Sequence, residues 1–151
     1  MQDLKDRLET FYELCRQNRL KITPQRIEVY KALAESSEHP SAEAVYTKVK
    51  QVLPNVSLDT VNRTLNTLSE IGAAFVVEGS GDVKRFDGNL ENHQHIKCVK
   101  CKKIFDFQYD KANSINIPEQ LAGGFKILRA TVYIEGLCQK CLEKENENQS
   151  N

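Results

Sequence analysis

The sequence predicts an α+β protein in which a helical N-terminal half is followed by a smaller, β-rich half. Apolar residues recur at helical spacing between residues 3 and 71, and strand-like stretches separated by glycines follow them. Two Cys-x-x-Cys pairs lie in the second half. A chain of 151 residues can form one domain or two small ones, and small domains are often stabilised by a bound metal.

Four helices are predicted in the first half from their apolar spacing and their capping residues. The first spans residues 3–18 and carries Cys15 on its apolar stripe, where a buried and unreactive thiol is expected. Thr23, Ser41 and Ser57 are the predicted N-caps of the next three helices, because their hydroxyl groups can accept hydrogen bonds from the first helical amides.

A hairpin is predicted after the fourth helix, with strands at residues 74–78 and 83–86 around a turn at 79–82. Helices followed by a two-stranded hairpin are the order of a winged helix, in which the fourth helix enters the major groove of DNA and the hairpin touches the backbone. The polar face of that helix has mostly short, hydrogen-bonding side chains that suit a groove reader, although most such faces are merely solvated. They are Asp59, Asn62, Arg63, Asn66 and Glu70.

The second half is predicted to be mostly β-structure. Strands are expected at 95–97, 103–107 and 125–135, with weak helical character at 110–121. The predicted organisation is a winged-helix domain at 1–86, a hinge at 87–92, a metal-binding domain at 93–142, and a disordered, Glu- and Asn-rich tail at 143–151.

The paired cysteines indicate a structural zinc site. Cys98 and Cys101 form one Cys-x-x-Cys pair, and Cys138 and Cys141 form the other. Two cysteines three residues apart can both point at one ion across a tight turn, and four thiolates satisfy the tetrahedral preference of zinc with no open position. Two separate redox dithiols, or a coincidence of spacing, are the alternatives.

Histidines and carboxylates form a second candidate metal site. His93 and His95 are two residues apart, so on a strand both imidazoles lie on one face. Asp106 is a carboxylate within an otherwise apolar strand, where it needs a partner. With Asp87 and His39 they would form a nitrogen- and oxygen-donor set that suits Fe(II), Mn(II) or Zn(II). By spacing alone His39 is a weak candidate, since a histidine before proline is commonly a capping or surface residue.

The N-terminal sequence predicts a cytoplasmic protein. Its first residues are charged, and the chain has neither a signal-peptide pattern nor an apolar run long enough to span a membrane. Stable disulfides are rare in the cytoplasm, which favours metal or redox chemistry for the paired cysteines. Equal numbers of basic and acidic residues, 21 of each, neither predict nor exclude DNA binding.

Taken together, these motifs resemble the ferric uptake regulator (Fur) family, and most closely its peroxide-sensing branch (PerR). The resemblance runs from about Arg19 to Cys141. It rests on the stretches Leu20–Arg26, His39–Ala42, Ser57–Leu65, Arg85–Asp87, His93–Cys101 and Phe105–Phe107, and on the Cys138-x-x-Cys141 pair.

The resemblance implies a homodimeric, metal-dependent repressor of double-stranded operator DNA, with an N-terminal winged helix and a C-terminal α/β dimerisation domain. It implies one structural zinc ion per subunit at Cys98, Cys101, Cys138 and Cys141. It also implies a regulatory Fe(II) or Mn(II) site at His39, Asp87, His93, His95 and Asp106. An ion held by both domains would favour the DNA-competent arrangement.

DNA contacts are implied by the same resemblance at Lys21, Ser57, Asp59, Thr60, Asn62, Arg63 and Asn66. Lys21 matches a position that can reach the minor groove, with a solvated lysine as the alternative. Asn62 departs from the family, which usually has Tyr there. An asparagine amide can hydrogen-bond the edge of adenine but cannot make the same apolar contact with thymine methyl groups, so operator preference or affinity is expected to differ.

Two features favour the peroxide-sensing branch. Iron-uptake members typically have Glu where this chain has Asp106, and they commonly use a further histidine-containing site, whereas no histidine follows His95 here. In peroxide sensors, bound Fe(II) reacts with hydrogen peroxide and a ligand histidine is oxidised, which releases DNA. The matching histidines are His39 and His93, and Mn(II) would support repression without that chemistry.

Three other functions remain open from the sequence. The first is an iron, manganese or zinc uptake regulator of the same family. The second is a non-haem Fe(II) enzyme, because two histidines and a carboxylate with an open position can activate oxygen. The third is a zinc-stapled protein-interaction module.

Overall fold

Four helices form the first part of the chain in the computed structural model, namely α1 (Leu4–Gln17), α2 (Pro24–Ala34), α3 (Ala42–Val52) and α4 (Leu58–Glu70). The structure describes residues 3–77, 81, 83–111, 115–127 and 130–150, and its contacts divide the chain into two units, Met1–Glu91 and Asn92–Asn151. No helix among the described residues combines the length and the apolar character needed to cross a bilayer.

The three predicted N-caps are confirmed. The side chain of Thr23 accepts a hydrogen bond from the amide of Arg26, and Ser41 and Ser57 accept equivalent bonds at the starts of α3 and α4. Each such cap stabilises a helix by about 1 kcal/mol relative to alanine. The helix starts are therefore fixed by local chemistry, which explains why the sequence predicted them.

Helices α1 to α4 share one apolar core. Phe11 of α1 stacks on Tyr30 of α2 with 4.5 Å between ring centroids, and Leu65 and Leu68 of α4 are fully buried. Cys15 is also fully buried, and burial raises the pKa of its thiol, which confirms the prediction of an unreactive core residue.

The predicted hairpin is confirmed, but its strands are short. Strand β1 (Phe75–Val76) pairs antiparallel with β2 (Phe86–Asp87). Residue 78 of the predicted first strand and residues 79, 80 and 82 of the predicted turn lie outside the described residues. Asp87 was expected in the hinge but is the last residue of β2, because Phe75 pairs with it across the ladder. Strand β2 is further held by an isolated bridge between Arg85 and Ser41.

The C-terminal unit contains a three-stranded sheet with the order β4-β3-β5. Its strands are β3 (Gln94–Cys98), β4 (Ile104–Phe107) and β5 (Tyr133–Gly136). Strand β3 is central, antiparallel to β4 and parallel to β5. Two helices complete the described part of this unit, the four-residue α5 (Glu119–Ala122) and α6 (Gln139–Gln149). The α+β prediction is thereby confirmed.

Two predictions for the C-terminal half were wrong in extent. Of the strand expected at 125–135, residues 128 and 129 lie outside the described residues, and among the others strand structure begins at Tyr133, where pairing with β3 starts, and runs to Gly136. The tail expected to be disordered from residue 143 is helical as far as Gln149. Glu145 of that helix forms an ion pair with Lys100 at 2.9 Å, a contact that local composition could not reveal.

Replacing Gly88 by alanine should destabilise the N-terminal unit. A Cβ atom at Gly88 would lie 3.0 Å from Cγ of Leu33 and 3.2 Å from backbone atoms of Ala34, and the helix backbone cannot give way easily. Overpacking of this kind costs about 1–3 kcal/mol. Chemical denaturation would measure the change in the free energy of unfolding. The matched control is Gly124→Ala, where nothing lies within 4 Å, and equal stabilities of the two variants would contradict the prediction.

Candidate metal centres

Four cysteine thiols converge in the C-terminal unit. The Sγ atoms of Cys98, Cys101, Cys138 and Cys141 all lie within 4.8 Å of one another. The Sγ atoms of Cys101 and Cys138 are 3.8 Å apart. Sulfurs around a tetrahedral zinc ion, each about 2.3 Å from the metal, are themselves roughly 3.8 Å apart. The donor set and its spacing therefore fit a closed zinc site.

Each Cys-x-x-Cys pair is shaped by the element that carries it. Cys98 ends β3, and the turn that follows is closed by a 2.9 Å hydrogen bond from the amide of Lys102 to the carbonyl of Cys98. Cys138 is the N-cap residue of α6, with Cys141 in the first turn. A helix N-terminus favours negative charge, so it suits thiolates. The amide of Cys138 also donates to Sγ of Cys98 at 3.4 Å, which joins the two pairs directly.

The pKa values of two of the thiols are shifted in opposite directions. The pKa of Cys98 is lowered to about 6, chiefly because the backbone amides of Cys138 and Cys101 donate to its sulfur. The pKa of Cys141 is raised to about 12, chiefly because burial penalises its thiolate and then because neighbouring thiols hydrogen-bond with it. Several thiolates cannot share this space unless a cation compensates their charge, and a divalent metal provides that charge by displacing the remaining protons.

A second ligand set, which we call the sheet set, consists of His93, His95 and Asp106. The pairing of β3 with β4 places His95 directly opposite Asp106, and His93 lies two residues before His95, hence on the same side. The Nε2 atoms of the two histidines are 3.1 Å apart. An oxygen of Asp106 lies 3.8 Å from Nε2 of His93 and 3.4 Å from Nε2 of His95.

The sheet set has the chemistry of a metal-ligand cluster. Both imidazoles are buried, whereas the side chain of Asp106 is 39% exposed. Two imidazole nitrogens this close together can both bind one cation, and the adjacent carboxylate would compensate its charge. The acid that the sequence placed in an apolar strand thus has the partners it was expected to need.

A third group, which we call the hinge set, lies in the N-terminal unit and consists of His39 and Asp87. Nε2 of His39 is 3.6 Å from a carboxylate oxygen of Asp87, and both residues are buried. The other oxygen of Asp87 accepts a hydrogen bond from the amide of Asn89 at 2.8 Å, which orients the carboxylate. His39 has a φ of 52°, in the left-handed region that non-glycine residues seldom adopt. The backbone of His39 therefore adopts an uncommon conformation just before Pro40, unlike that of an ordinary helix end.

The start of α4 carries several of the predicted DNA contacts. The hydroxyl of Ser57 caps the helix and also donates to the hydroxyl of Thr60 at 2.9 Å. The guanidinium of Arg63 donates to Asp59 at 2.8 Å through Nε and makes a second short contact with the same oxygen. This pairing raises the pKa of Arg63. The pair is exposed, so it orients Arg63 without burying charge.

The remaining predicted DNA contacts are also at the surface. Asn62 is exposed on α4, and Lys21 is exposed before α2. Asn66 accepts a 3.3 Å hydrogen bond from Nζ of Lys84, a hairpin residue that the sequence did not single out. A basic residue within the predicted second strand of the hairpin was the available signal for Lys84.

Gln94 is a second residue that the sequence did not single out. It lies between the two sheet-set histidines and is 1% exposed. Its side-chain oxygen accepts hydrogen bonds from the amide of Val132 at 2.8 Å and from the hydroxyl of Thr131 at 3.4 Å. This buried amide joins β3 to the segment that enters β5, and it thereby fixes the strand that carries the histidines. Nothing in the sequence indicated that Gln94, a polar residue between two candidate ligands, would be buried.

Known proteins share this sequence pattern and this fold. The profile of the ferric uptake regulator family matches residues 17–135. The peroxide-responsive repressor PerR of Staphylococcus aureus (strain Mu50) is 33% identical to this chain over 144 residues, which cover 95% of this chain and 97% of that protein.

Solved structures give the same result. The ferric uptake regulator Fur of Helicobacter pylori, described as having three functional metal binding sites, superposes with a TM-score of 0.72 at 27% identity, covering 93% of this chain and 95% of that chain. A PerR from GAS, in a form designated PerR-Zn-Zn, superposes with a TM-score of 0.50 at 29% identity, covering 89% and 86% respectively.

The zinc affinity of the four thiols should depend on pH, and the slope of that dependence should change near the pKa of Cys98. Above a pH of about 6 this thiol is already ionised, so zinc displaces no proton from it, whereas below that pH it does. Cys141, with a pKa of about 12, releases a proton both above and below that pH. Affinity should therefore fall more steeply with decreasing pH below about 6, by one further proton. Competition with a chromophoric chelator would measure the slopes, with Cys98→Ser as the variant that loses the change in slope. A single slope in the wild type would contradict the assignment.

Proposed function

Because the chain belongs to the ferric uptake regulator family, we propose that it is a metal-dependent transcriptional repressor that responds to hydrogen peroxide. Members of this family are transcriptional regulators rather than enzymes, which sets aside the non-haem iron enzyme suggested by the ligand set. The observation that carries the proposal is the sheet set, two buried imidazoles facing the carboxylate of Asp106.

We assign the four thiols of Cys98, Cys101, Cys138 and Cys141 to one structural zinc ion per subunit. Four sulfurs leave no open position for a substrate or an oxidant, so the ion would act as a staple. It would join the end of β3 to the start of α6. Its binding energy would contribute directly to folding of the C-terminal unit.

We assign the regulatory ion, Fe(II) or Mn(II), to the hinge set and the sheet set together. The five ligands would be His39, Asp87, His93, His95 and Asp106. All are nitrogen or oxygen donors, as these metals prefer. Five residues, 88–92, separate Asp87 from His93 in the sequence, so the chain would allow both sets to reach one ion. An ion held by both sets would favour one arrangement of the two units over others.

The proposed response to peroxide requires a ligand histidine to be lost. A bound Fe(II) ion would supply the redox chemistry that cleaves the O–O bond of hydrogen peroxide. In the net reaction the imidazole would lose two electrons and gain one oxygen at the carbon between its two nitrogens, and the other oxygen of the peroxide would leave as water. We propose His39 and His93 as the oxidised residues, because the resemblance to the peroxide-sensing branch matches these two positions to the ligand that is oxidised, and loss of either ring would remove a ligand from its set. The oxidised ring is a poorer ligand, so the DNA-competent arrangement is no longer favoured.

The proposed domains follow from these assignments. Residues 1–86 would be the winged-helix DNA-binding domain, 87–92 the hinge, and the unit from residue 93 the metal-binding dimerisation domain, with α6 replacing the disordered tail expected from the sequence. Regulators of this family bind operator DNA as dimers. Large apolar residues remain exposed in the C-terminal unit, as a subunit interface requires. They include Phe105, Leu121, Phe125, Ile127 and Ile134. A regulator that binds chromosomal DNA would act in the cytoplasm.

The proposed DNA face is the exposed side of α4 with the hairpin beside it. It would comprise Lys21, Ser57, Asp59, Thr60, Asn62, Arg63 and Asn66. Ser57 and Thr60 would act at the helix N-terminus, where backbone amides attract phosphate. Arg63 is oriented by Asp59, and Asn62 is placed to reach a base edge.

An iron, manganese or zinc uptake regulator of the same family is the second candidate. The similar proteins include a peroxide-responsive repressor, from S. aureus, and a ferric uptake regulator, from H. pylori. That protein is described as having three functional metal sites. In this chain the three histidines are all placed in the hinge and sheet sets, which leaves none for a further histidine-containing site. This count favours the peroxide-responsive reading.

Exposure of the Fe(II)-loaded protein to peroxide should add the mass of one oxygen atom to a histidine. The modified peptide is expected to contain His39 or His93, the two proposed oxidation sites. Intact mass followed by peptide mapping measures this. The Mn(II)-loaded protein treated in the same way is the control and should stay unmodified. Oxidation confined to cysteine, with both histidines intact, would exclude the proposed mechanism.

Replacing Asp106 by glutamate should lower peroxide sensitivity, on the order of tenfold, and preserve Mn(II)-dependent DNA binding. The carboxylate is kept, but one added methylene group changes how it approaches the two imidazoles, 3.4 and 3.8 Å away. The peroxide concentration that releases half of the DNA is the measured quantity. Asp110→Glu, an exposed acid outside the sheet set, is the control. Unchanged sensitivity in Asp106→Glu would remove this reason for assigning the peroxide branch.

A further inference from the structure

The segment that precedes Asp87 contains an arginine whose side chain turns toward the backbone of His39. We propose that Arg85 is a positioning residue for His39, holding the backbone turn that aims the imidazole at Asp87. The inference rests on the proposed regulatory role of the hinge set, and it adds a residue that binds no metal itself.

His39 needs such support because its backbone is in an unfavourable conformation. Its φ of 52° is in the left-handed region, where the Cβ atom of an L residue crowds the following carbonyl. The next residue is Pro40, and proline restricts the residue before it mainly to extended conformations. A conformation of this kind persists only where the surrounding structure holds it.

The guanidinium of Arg85 contacts the two carbonyl groups that flank this turn. One terminal nitrogen lies 3.4 Å from the carbonyl oxygen of His39 and 3.5 Å from that of Glu38. Each distance is long for a single hydrogen bond, but one donor nitrogen shared between two acceptors typically gives longer contacts. The positive charge of the guanidinium strengthens both contacts.

Backbone pairing fixes the chain on the other side of the turn. The amide of Phe86 donates to the carbonyl of Pro40 at 3.0 Å, and the backbones of Arg85 and Ser41 form an isolated antiparallel β-bridge. Phe86 is fully buried in the core, so its neighbours Arg85 and Asp87 project to the opposite side of the chain, toward the turn. One short segment thus carries both the residue that shapes the His39 turn and the carboxylate that meets its imidazole at 3.6 Å.

A DNA contact is the competing role for a basic residue beside the wing. Lys84 is exposed and reaches Asn66 on α4, whereas Arg85 is only part-exposed and turns to the carbonyls of residues 38 and 39. Geometry therefore separates the two neighbours. Lys84 faces the proposed DNA-reading helix, and Arg85 faces the hinge set.

Mn(II) affinity of the full-length, zinc-loaded protein tests the proposal. Titration followed by the electron paramagnetic resonance signal of free Mn(II) should show roughly 10- to 100-fold weaker binding in Arg85→Ala, the usual effect of removing a residue that orients a ligand. Arg85→Lys should recover part of the loss, because a cation returns without the shared planar donor. Lys48→Ala removes an exposed lysine of the same unit and is the control for charge.

Hydrogen exchange of the metal-free protein gives a second readout. Amides of residues 38–41 and of Phe86 should exchange faster in Arg85→Ala than in wild type, while those of α4 should not. If Arg85→Ala does not fold, Arg85→Gln, which keeps a donor and loses the charge, takes its place in both measurements.

The outcomes are distinguishable. Unchanged Mn(II) affinity with weaker DNA binding in Arg85→Ala would make Arg85 a DNA contact and overturn the proposal. Unchanged exchange at residues 38–41 would overturn it as well. His39→Ala reports on the proposed function separately: if Mn(II) binding survives that change, His39 is not a ligand and the regulatory assignment itself fails.

Discussion

The register of the central strand β3 is the constraint on which the candidate centres depend. Pairing with β4 sets His95 opposite Asp106, and pairing with β5 sets Cys98 opposite Gly136, two residues before Cys138. Because side chains alternate along a strand, a slip of one residue would turn the histidines to the other face and move the carboxylate away from them. The same slip would move Cys98 relative to the start of α6. One set of backbone hydrogen bonds therefore aligns two ligand sets of different chemistry.

The described residues of the C-terminal unit form little apolar core. The buried core of large aliphatic and aromatic side chains belongs to the N-terminal unit, whereas Leu121 and Phe125 are more than half exposed. A small unit with so little burial gains stability from bound metal or from a partner subunit. The opposed pKa shifts of Cys98 and Cys141 also favour a bound cation, since the thiols compete for protons until a cation replaces them.

Local chemistry explains what the sequence could predict, and tertiary pairing explains what it could not. Thr23, Ser41 and Ser57 each cap a helix by accepting a hydrogen bond from an amide in its first turn. The two Cys-x-x-Cys pairs can be recognised from their spacing. Strand β5, by contrast, is only as long as its pairing with β3 allows, and its register is partly held by the buried amide of Gln94. His39 was weak by spacing because its left-handed turn before proline depends on residues more than forty positions away, and only the family resemblance pointed to it.

In the proposed mechanism, the division of ligands between two units determines how strongly metal binding can favour one arrangement of the units. The hinge set offers two donors and the sheet set three, and Mn(II) or Fe(II) takes more ligands than either set offers. Neither unit alone would bind the ion as tightly as both together, and that difference in affinity is the most that metal binding can contribute to favouring one arrangement. Oxidising a histidine of either set reduces the difference directly. It need not unfold the protein or remove the zinc, because the four thiols belong to a separate and closed set.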